Sequence, residues 1–187
     1  MTLNTRTVPP SPDGFEVLDA CHRQTVEALE TLSTLVLHLE SGTLDPIART
    51  LARRIVHHFG TVSRQHHEDE ERHVFPVLAR SADPAVVDAV LRLQQDHDWL
   101  EEDWMELSPH IDAIACGHPW YDLDVLREAS AVFAALSHDH IALEEALIYP
   151  EAQRRLAPGE RRAMGREMAA RRRAERAQRG VRTSGAG

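Results

Sequence analysis

Four stretches of this sequence carry an apolar residue every three or four positions over several turns, and each of them is interrupted by histidine. The first reads Leu18, His22, Thr25, Leu29, Leu32, Val36, Leu39, and the second Leu51, Ile55, Phe59, Val62, His66, Glu70, His73, Val77. The third reads Val86, Val90, Leu93, His97, Leu100, Trp104, Leu107, and the fourth Leu126, Ser130, Phe133, Ser137, His140, Glu144, Leu147. A 3–4 spacing sustained in this way describes helices that each turn one face to a shared core. The signals that bound them agree. Asp45-Pro46 and Asp83-Pro84 each place an N-cap before a proline at the first helical position, and Ser41-Gly42 ends the first stripe.

The expected fold is therefore all-α: an up-down-up-down four-helix bundle over residues 13–156. Helices are expected from about Asp13 to Glu40, from Pro46 to about Ala79 with Pro76 kinking or ending it, from Pro84 to Leu107, and from about Asp122 to Tyr149. A longer connection, Ser108 to Tyr121, carries Pro109, Gly117 and Pro119. Residues 1–12, with Pro9, Pro10 and Pro12, read as an irregular arm. Residues 157–187 read as a short Arg-rich helix, about Gly159 to Gln178, ending in a disordered tail from Gly180.

Charge separates these parts. Residues 1–150 hold 10 Arg against 26 acidic residues, whereas residues 151–187 hold 11 Arg against 4. An acidic body repels nucleic acid, and the basic segment is expected to dock on that body. No apolar run reaches the roughly 18 residues of a membrane span, and Met1-Thr-Leu-Asn-Thr-Arg6 lacks the layout of a secretory signal. With two cysteines, Cys21 and Cys116, a disulfide framework is not expected and the cytoplasm is the default compartment.

The polar interruptions carry the chemistry. His66-x-x-x-Glu70 and His140-x-x-x-Glu144 each set a glutamate of the stripe one turn after its histidine, a spacing that places both side chains on one surface. Counting from the expected helix ends at about 1.5 Å per residue, the six side chains span roughly 12 Å along the bundle, and the four histidines roughly 6 Å. Buried imidazoles and carboxylates without partners cost several kcal/mol each, and divalent cations remove that cost. Donors of this kind, without thiolate, suit iron, manganese or zinc. Four His and two Glu are too many for one four-coordinate ion and suit two ions bridged by the carboxylates. The candidate ligands are His22, His66, Glu70, His97, His140 and Glu144. His38, His57, His110 and His118 fall towards the far end, His58 lies two turns above His66, and His67 and His138 stand about 100° off their stripes. None of these is assigned a role. His73 and Glu101 continue stripes within a turn of the candidates and stay open.

These residues resemble the hemerythrin-like (HHE cation-binding) family. His66-His67-x-x-Glu70-Glu71-x-x-x-Phe75-Pro76 looks like its His-His-x-x-Glu-Glu-x-x-x-Phe-Pro signature, and His140-x-x-x-Glu144-Glu145-x-x-x-Tyr149-Pro150 looks like a repeat of it. The lone His22 and His97 stand at similar intervals. Over residues 15–150 the resemblance implies a bundle around a non-haem di-iron centre with an oxo or hydroxo bridge. In it His22, His66, His97 and His140 would be terminal ligands, and Glu70 and Glu144 would bridge.

Oxygen-carrying members of the family have a His-x-x-x-His pair on the third helix, where this sequence has His97 and Glu101. The ligand set is more similar to that of bacterial iron-sulfur-centre repair proteins, although their separate Cys-bearing N-terminal domain is not expected here. Six protein ligands leave open positions for oxygen, peroxide or nitric oxide. The expected function is an oxidase or peroxidase-type reaction of oxygen or peroxide, extending to a small-molecule substrate. The alternative is an oxygen, nitric oxide or iron sensor or store, or an iron-centre repair protein.

Overall fold

The computed structural model describes residues 12–42 and 44–184 of the 187. Every regular element among them is helical: α1 (Gly14–Glu40), α2 (Pro46–His57), a π-helical segment (His58–Ser63), α3 (Arg64–His73), α4 (Phe75–Leu78), α5 (Pro84–Cys116), α6 (Leu123–Leu143), a second π-helical segment (Glu144–Ile148), α7 (Tyr149–Arg155) and α8 (Pro158–Ser184). Residues 1–11, most of the segment expected to form an arm, lie outside the described residues, as do residues 185–187. No helix of the described residues is long and apolar enough to cross a membrane.

Aspartates start the helices. Asp13, Asp45, Asp83 and Asp122 each accept from backbone N–H groups of the first turn, and Asp13 forms a full capping box with Glu16. Gly117, at φ 80°, closes α5 in the left-handed conformation that glycine adopts without penalty.

Two apolar clusters fill the interior. One joins the C-terminal part of α1 (Leu29, Leu32, Leu39) to α2 (Ala52, Ile55), the C-terminal part of α5 (Leu107, Ile111, Ile114) and α6 (Leu126, Phe133). The other joins the start of α1 (Phe15, Leu18) to α4, the start of α5 (Val86, Val90, Leu93), α7 and α8. The histidine-bearing turns lie between them along every chain segment.

The structure departs from the sequence expectations in three places. The second and fourth helices are not continuous: π-helical turns open each one, and α3 is separated from α4 at Val74. The third does not stop at Leu107 but runs through Pro109 to Cys116. Pro109 sits on the exposed side, while Ile111 and Ile114 extend the buried stripe beyond it. Their burial offsets the roughly 3 kcal/mol that an interior proline costs. The expected loop from Ser108 therefore shrinks to residues 117–122.

The C-terminal helix is the third departure. It is long rather than short, and its backbone is helical through Gly180 to Ser184, where a disordered tail was expected. It does dock on the acidic body. Met164 and Met168 are buried among Phe15, Leu18 and their neighbours, and Arg161 pairs with Asp13. The absence of a side chain at Gly165 is needed there, because a Cβ would lie 2.2 Å from the Pro12 carbonyl oxygen.

Candidate metal centre

All six candidate ligands meet in the layer between the apolar clusters, and each is at most 5% exposed. Glu70 and Glu144 stand between two histidine pairs. Glu70 Oε1 is 3.5 Å from His66 Nε2, and its Oε2 is 3.4 Å from His97 Nε2. Glu144 Oε2 is 3.1 Å from His22 Nε2, and its Oε1 is 3.1 Å from His140 Nε2. Two overlapping sets, His22/His66/Glu70/Glu144 and His97/His140/Glu70/Glu144, each bring four donor atoms within 4.8 Å of one another. Adjacent ligands about 2.1 Å from one ion stand roughly 3 Å apart, so these contacts have the dimensions of coordination edges.

Their hydrogen bonding points the same way. His66 Nε2, His97 Nε2, His140 Nε2, Glu70 Oε2 and both Glu144 oxygens are buried without an acceptable hydrogen bond. A native core leaves few such atoms. Two of the four outward nitrogens, by contrast, are held: His22 Nδ1 lies 3.0 Å from Glu145 Oε1, and His97 Nδ1 lies 2.9 Å from Glu71 Oε1, while His66 Nδ1 and His140 Nδ1 make no hydrogen bond. With Nδ1–H donated to a carboxylate, Nε2 is left as a lone pair aimed inward, the arrangement that metal-ligating histidines adopt. Tyr149 Oη approaches from the second apolar cluster, donating to Glu70 Oε1 at 2.6 Å and standing 3.0 Å from His22 Nε2.

The Hemerythrin HHE cation binding domain matches this chain over residues 13–152. The chain belongs to that hemerythrin family. A Haemophilus influenzae protein described only as uncharacterized is 29% identical to it over 160 residues, covering 86% of this chain and 90% of that protein. The hemerythrin match and the buried His/Glu cluster together assign cation binding to this layer.

Several residues of this hemerythrin domain take places that spacing alone did not assign. His67, set aside as off its stripe, lies with its ring stacked on His97 at 4.0 Å, and it forms a third donor set with His97 and His140. Glu71, Glu145 and Tyr149 are the other additions. Neither open residue joins the cluster: His73 Nε2 is 2.7 Å from Glu167 of α8, and Glu101 pairs with Arg64 and is half exposed. His58 is buried against the Thr25 hydroxyl.

A cavity of about 430 Å³ opens beside the first π-helical segment and reaches His66, His67, His97 and His140. Phe59, Trp104 and Phe133 pack against one another along its wall. Tyr121 packs, like Trp104 and Phe133, with the apolar cluster formed by α2 and the C-terminal part of α5.

Without metal the cluster is an electrostatic conflict. Burial and the facing Glu144 push Glu70 up to about 7. Burial acts on Glu144 too, but His140 and His22 outweigh it and hold this carboxyl well below the usual range. Burial holds His66 and His67 well below the imidazole value and lowers His58 to about 4. It opposes charge on His140 as well, but Glu144 and Asp96 prevail and raise that ring to about 10.

Each sign sets a side of the pH profile. Glu70 and His140, raised on folding, contribute stability below their ordinary values of 4.5 and 6.5 that is lost as pH climbs to about 7 and 10. His58, His66 and His67, lowered on folding, contribute stability that is lost as pH falls below 6.5, and Glu144 does the same below 4.5. Urea midpoints of metal-free protein are expected to peak near 6.5 and fall on both sides. Bound metal keeps its ligands deprotonated, so loaded protein is expected to lose the alkaline fall. Parallel profiles of the two forms would contradict this.

Proposed function

We propose that this chain is a non-haem di-iron protein that reacts with oxygen or peroxide in an oxidase or peroxidase-type reaction on a small organic substrate. His22 and His66 hold one iron, His97 and His140 hold the other, and Glu70 and Glu144 bridge them. The observation that carries the reading is that each carboxylate divides its two oxygens between the two histidine pairs. The irons, when bound, supply one-electron chemistry with oxygen or peroxide; manganese or zinc fits the same donors without necessarily supplying it.

The remaining roles belong to the protein. Glu145 and Glu71 hold the Nδ1 protons of His22 and His97. Phe59, Trp104 and Phe133 give the cavity one apolar wall beside the cluster. The cavity volume, within the roughly 300–1,000 Å³ range of small-molecule pockets, exceeds what a diatomic gas requires. We assign the helices of residues 13–156 to an up-down-up-down bundle, because alternate ends of successive helices supply each apolar cluster. The Arg-rich segment of residues 157–187 is a separate part, whose helix α8 lies against the bundle through Met164 and Met168. A cytoplasmic setting suits the two free cysteines.

Metal analysis with visible spectra before and after reduction tests this. Two irons per chain and an absorption that bleaches on reduction and returns in air are expected. His97→Ala should lower peroxide-dependent turnover at least about 100-fold while the metal-free protein keeps its helicity. A colourless protein with one zinc that takes up no iron would remove the redox reading.

Sensing is favoured by one observation. Asp69, between His66 and Glu70 in sequence, is held by Arg171 and Arg172 of α8, so a shift of the ligand turn reaches the C-terminal helix. Hydrogen exchange that differs along α8 between metal-free and loaded protein would favour a sensor of oxygen, nitric oxide or iron.

A further inference from the structure

The two halves of the centre are related by the sequence repeat, and the structure shows how far the relation goes. His66, Glu70, Glu71 and Phe75 correspond to His140, Glu144, Glu145 and Tyr149. Glu71 holds His97 and Glu145 holds His22 in the same way. Phe75 faces His97 with ring centres 5.4 Å apart and planes 28° apart, and Tyr149 faces His22 at 5.1 Å and 11°. The correspondence fails at the tips of these rings. Phe75 ends in carbon, whereas Tyr149 ends in a hydroxyl inside the cluster.

The second π-helical segment puts it there. The Tyr149 N–H donates to the Glu144 carbonyl five residues earlier, so Tyr149 comes round below Glu144. In an ordinary α-helix a residue five positions on lies about 140° away from its predecessor.

The hydroxyl is short of protons. As a neutral ring, His22 donates Nδ1–H to Glu145 and presents Nε2 as an acceptor. Glu70 Oε1 is also an acceptor, and both lie within 3.0 Å of Tyr149 Oη. One phenol proton cannot satisfy both, and Tyr149 is only 3% exposed, which leaves little room for a bridging water. Three lone-pair-bearing atoms converging with one proton among them are reconciled by a cation.

We propose that Tyr149 Oη is a ligand, as phenolate, to the ion held by His22 and His66. The phenol proton is released to solvent when the ion binds, as metal binding to protic ligands requires. The two ions are then unequal. One gains an anionic oxygen donor. The other has Phe75 in the matching place and His67 beside its two histidines, while the cavity reaches histidines of both. This rests on the two-ion reading above.

The test uses the full chain, loaded with Fe(II) and oxidised with ferricyanide, in natural form and with ring-deuterated tyrosine. Visible-excited resonance Raman is expected to show phenolate ring modes that shift on deuteration and vanish in Tyr149→Phe, whose iron count stays at two. The isotope comparison needs no variant, so it decides even if Tyr149→Phe fails to fold. Two irons without deuterium-sensitive modes would overturn the phenolate and leave the pair. One iron with those modes would overturn the pair and leave the phenolate. Modes that persist in Tyr149→Phe would point to Tyr121 and overturn the assignment, and a chain that binds no iron would overturn both readings.

Discussion

Glu70→Gln is expected to weaken binding of both metal ions together while leaving the metal-free protein as stable as the parent. The two halves of this outcome have separate causes. Glu70 faces His66 with one oxygen and His97 with the other, so its loss is felt in both ion positions. The amide nitrogen is a donor and cannot ligate. Affinity for each ion should fall by more than the roughly 10–100-fold that follows loss of a hydrogen-bonding partner of a ligand.

Without metal, burial beside Glu144 already raises the Glu70 carboxyl to about 7, so below that pH the native side chain is largely neutral and glutamine copies it. Its carbonyl accepts from Tyr149 Oη, and its NH₂ faces His97 Nε2, a lone pair with no hydrogen bond. The urea midpoint at pH 6 should correspond to a change below about 1 kcal/mol. Calorimetric titration with iron(II) or manganese(II) reads the affinity. If one ion still binds as in the parent, Glu70 does not bridge.

Replacing Arg171 and Arg172 by alanine should cost about 3–5 kcal/mol, a large part of the stability of a domain this size. Asp69 is fully buried between the candidate ligands His66 and Glu70 in sequence, and both guanidinium groups reach its carboxylate, one to each oxygen. Removing them leaves a charge out of water with nothing to balance it, which costs far more than an exposed ion pair contributes. The control is Asp69→Asn in the same background. It removes the stranded charge and should restore more than half of the loss, although both arginines are still missing. A loss below about 1 kcal/mol in urea denaturation would show that water reaches Asp69 and that α8 lies on the bundle without holding it.

Spacing alone brought six side chains from four helices into one layer, because a 3–4 stripe says which residues face inward whatever the helix ends do. What it missed depends on departures from ideal pitch. His67 stands off its stripe, but it reaches His97 and His140 from the side, where the cavity leaves room. Tyr149 lies off the face of Glu144 by ordinary helical counting, and only the π-helical turn brings it in. Such turns leave no compositional mark.

Pro109 ended the third helix in the sequence reading because a proline's local cost is visible and the burial of Ile111 and Ile114 beyond it is not. The length of α8 was hidden for a related reason. Arg, Ala and Glu dominate its sequence, and the two methionines that anchor it gain their meaning only from Phe15 and Leu18 at the other end of the chain.

The turn at Glu144–Ile148 also bears on how such a centre tolerates change in length. A π-helical turn holds one residue more than the α-helical turn that would join the same two ends. Losing one codon from it would leave the tyrosine N–H on the Glu144 carbonyl, now four residues earlier, and the phenol below Glu144 as before. Relatives one residue shorter here are expected to keep the phenol in place, so the interval between this glutamate and the tyrosine can vary while the side chains they bring together do not.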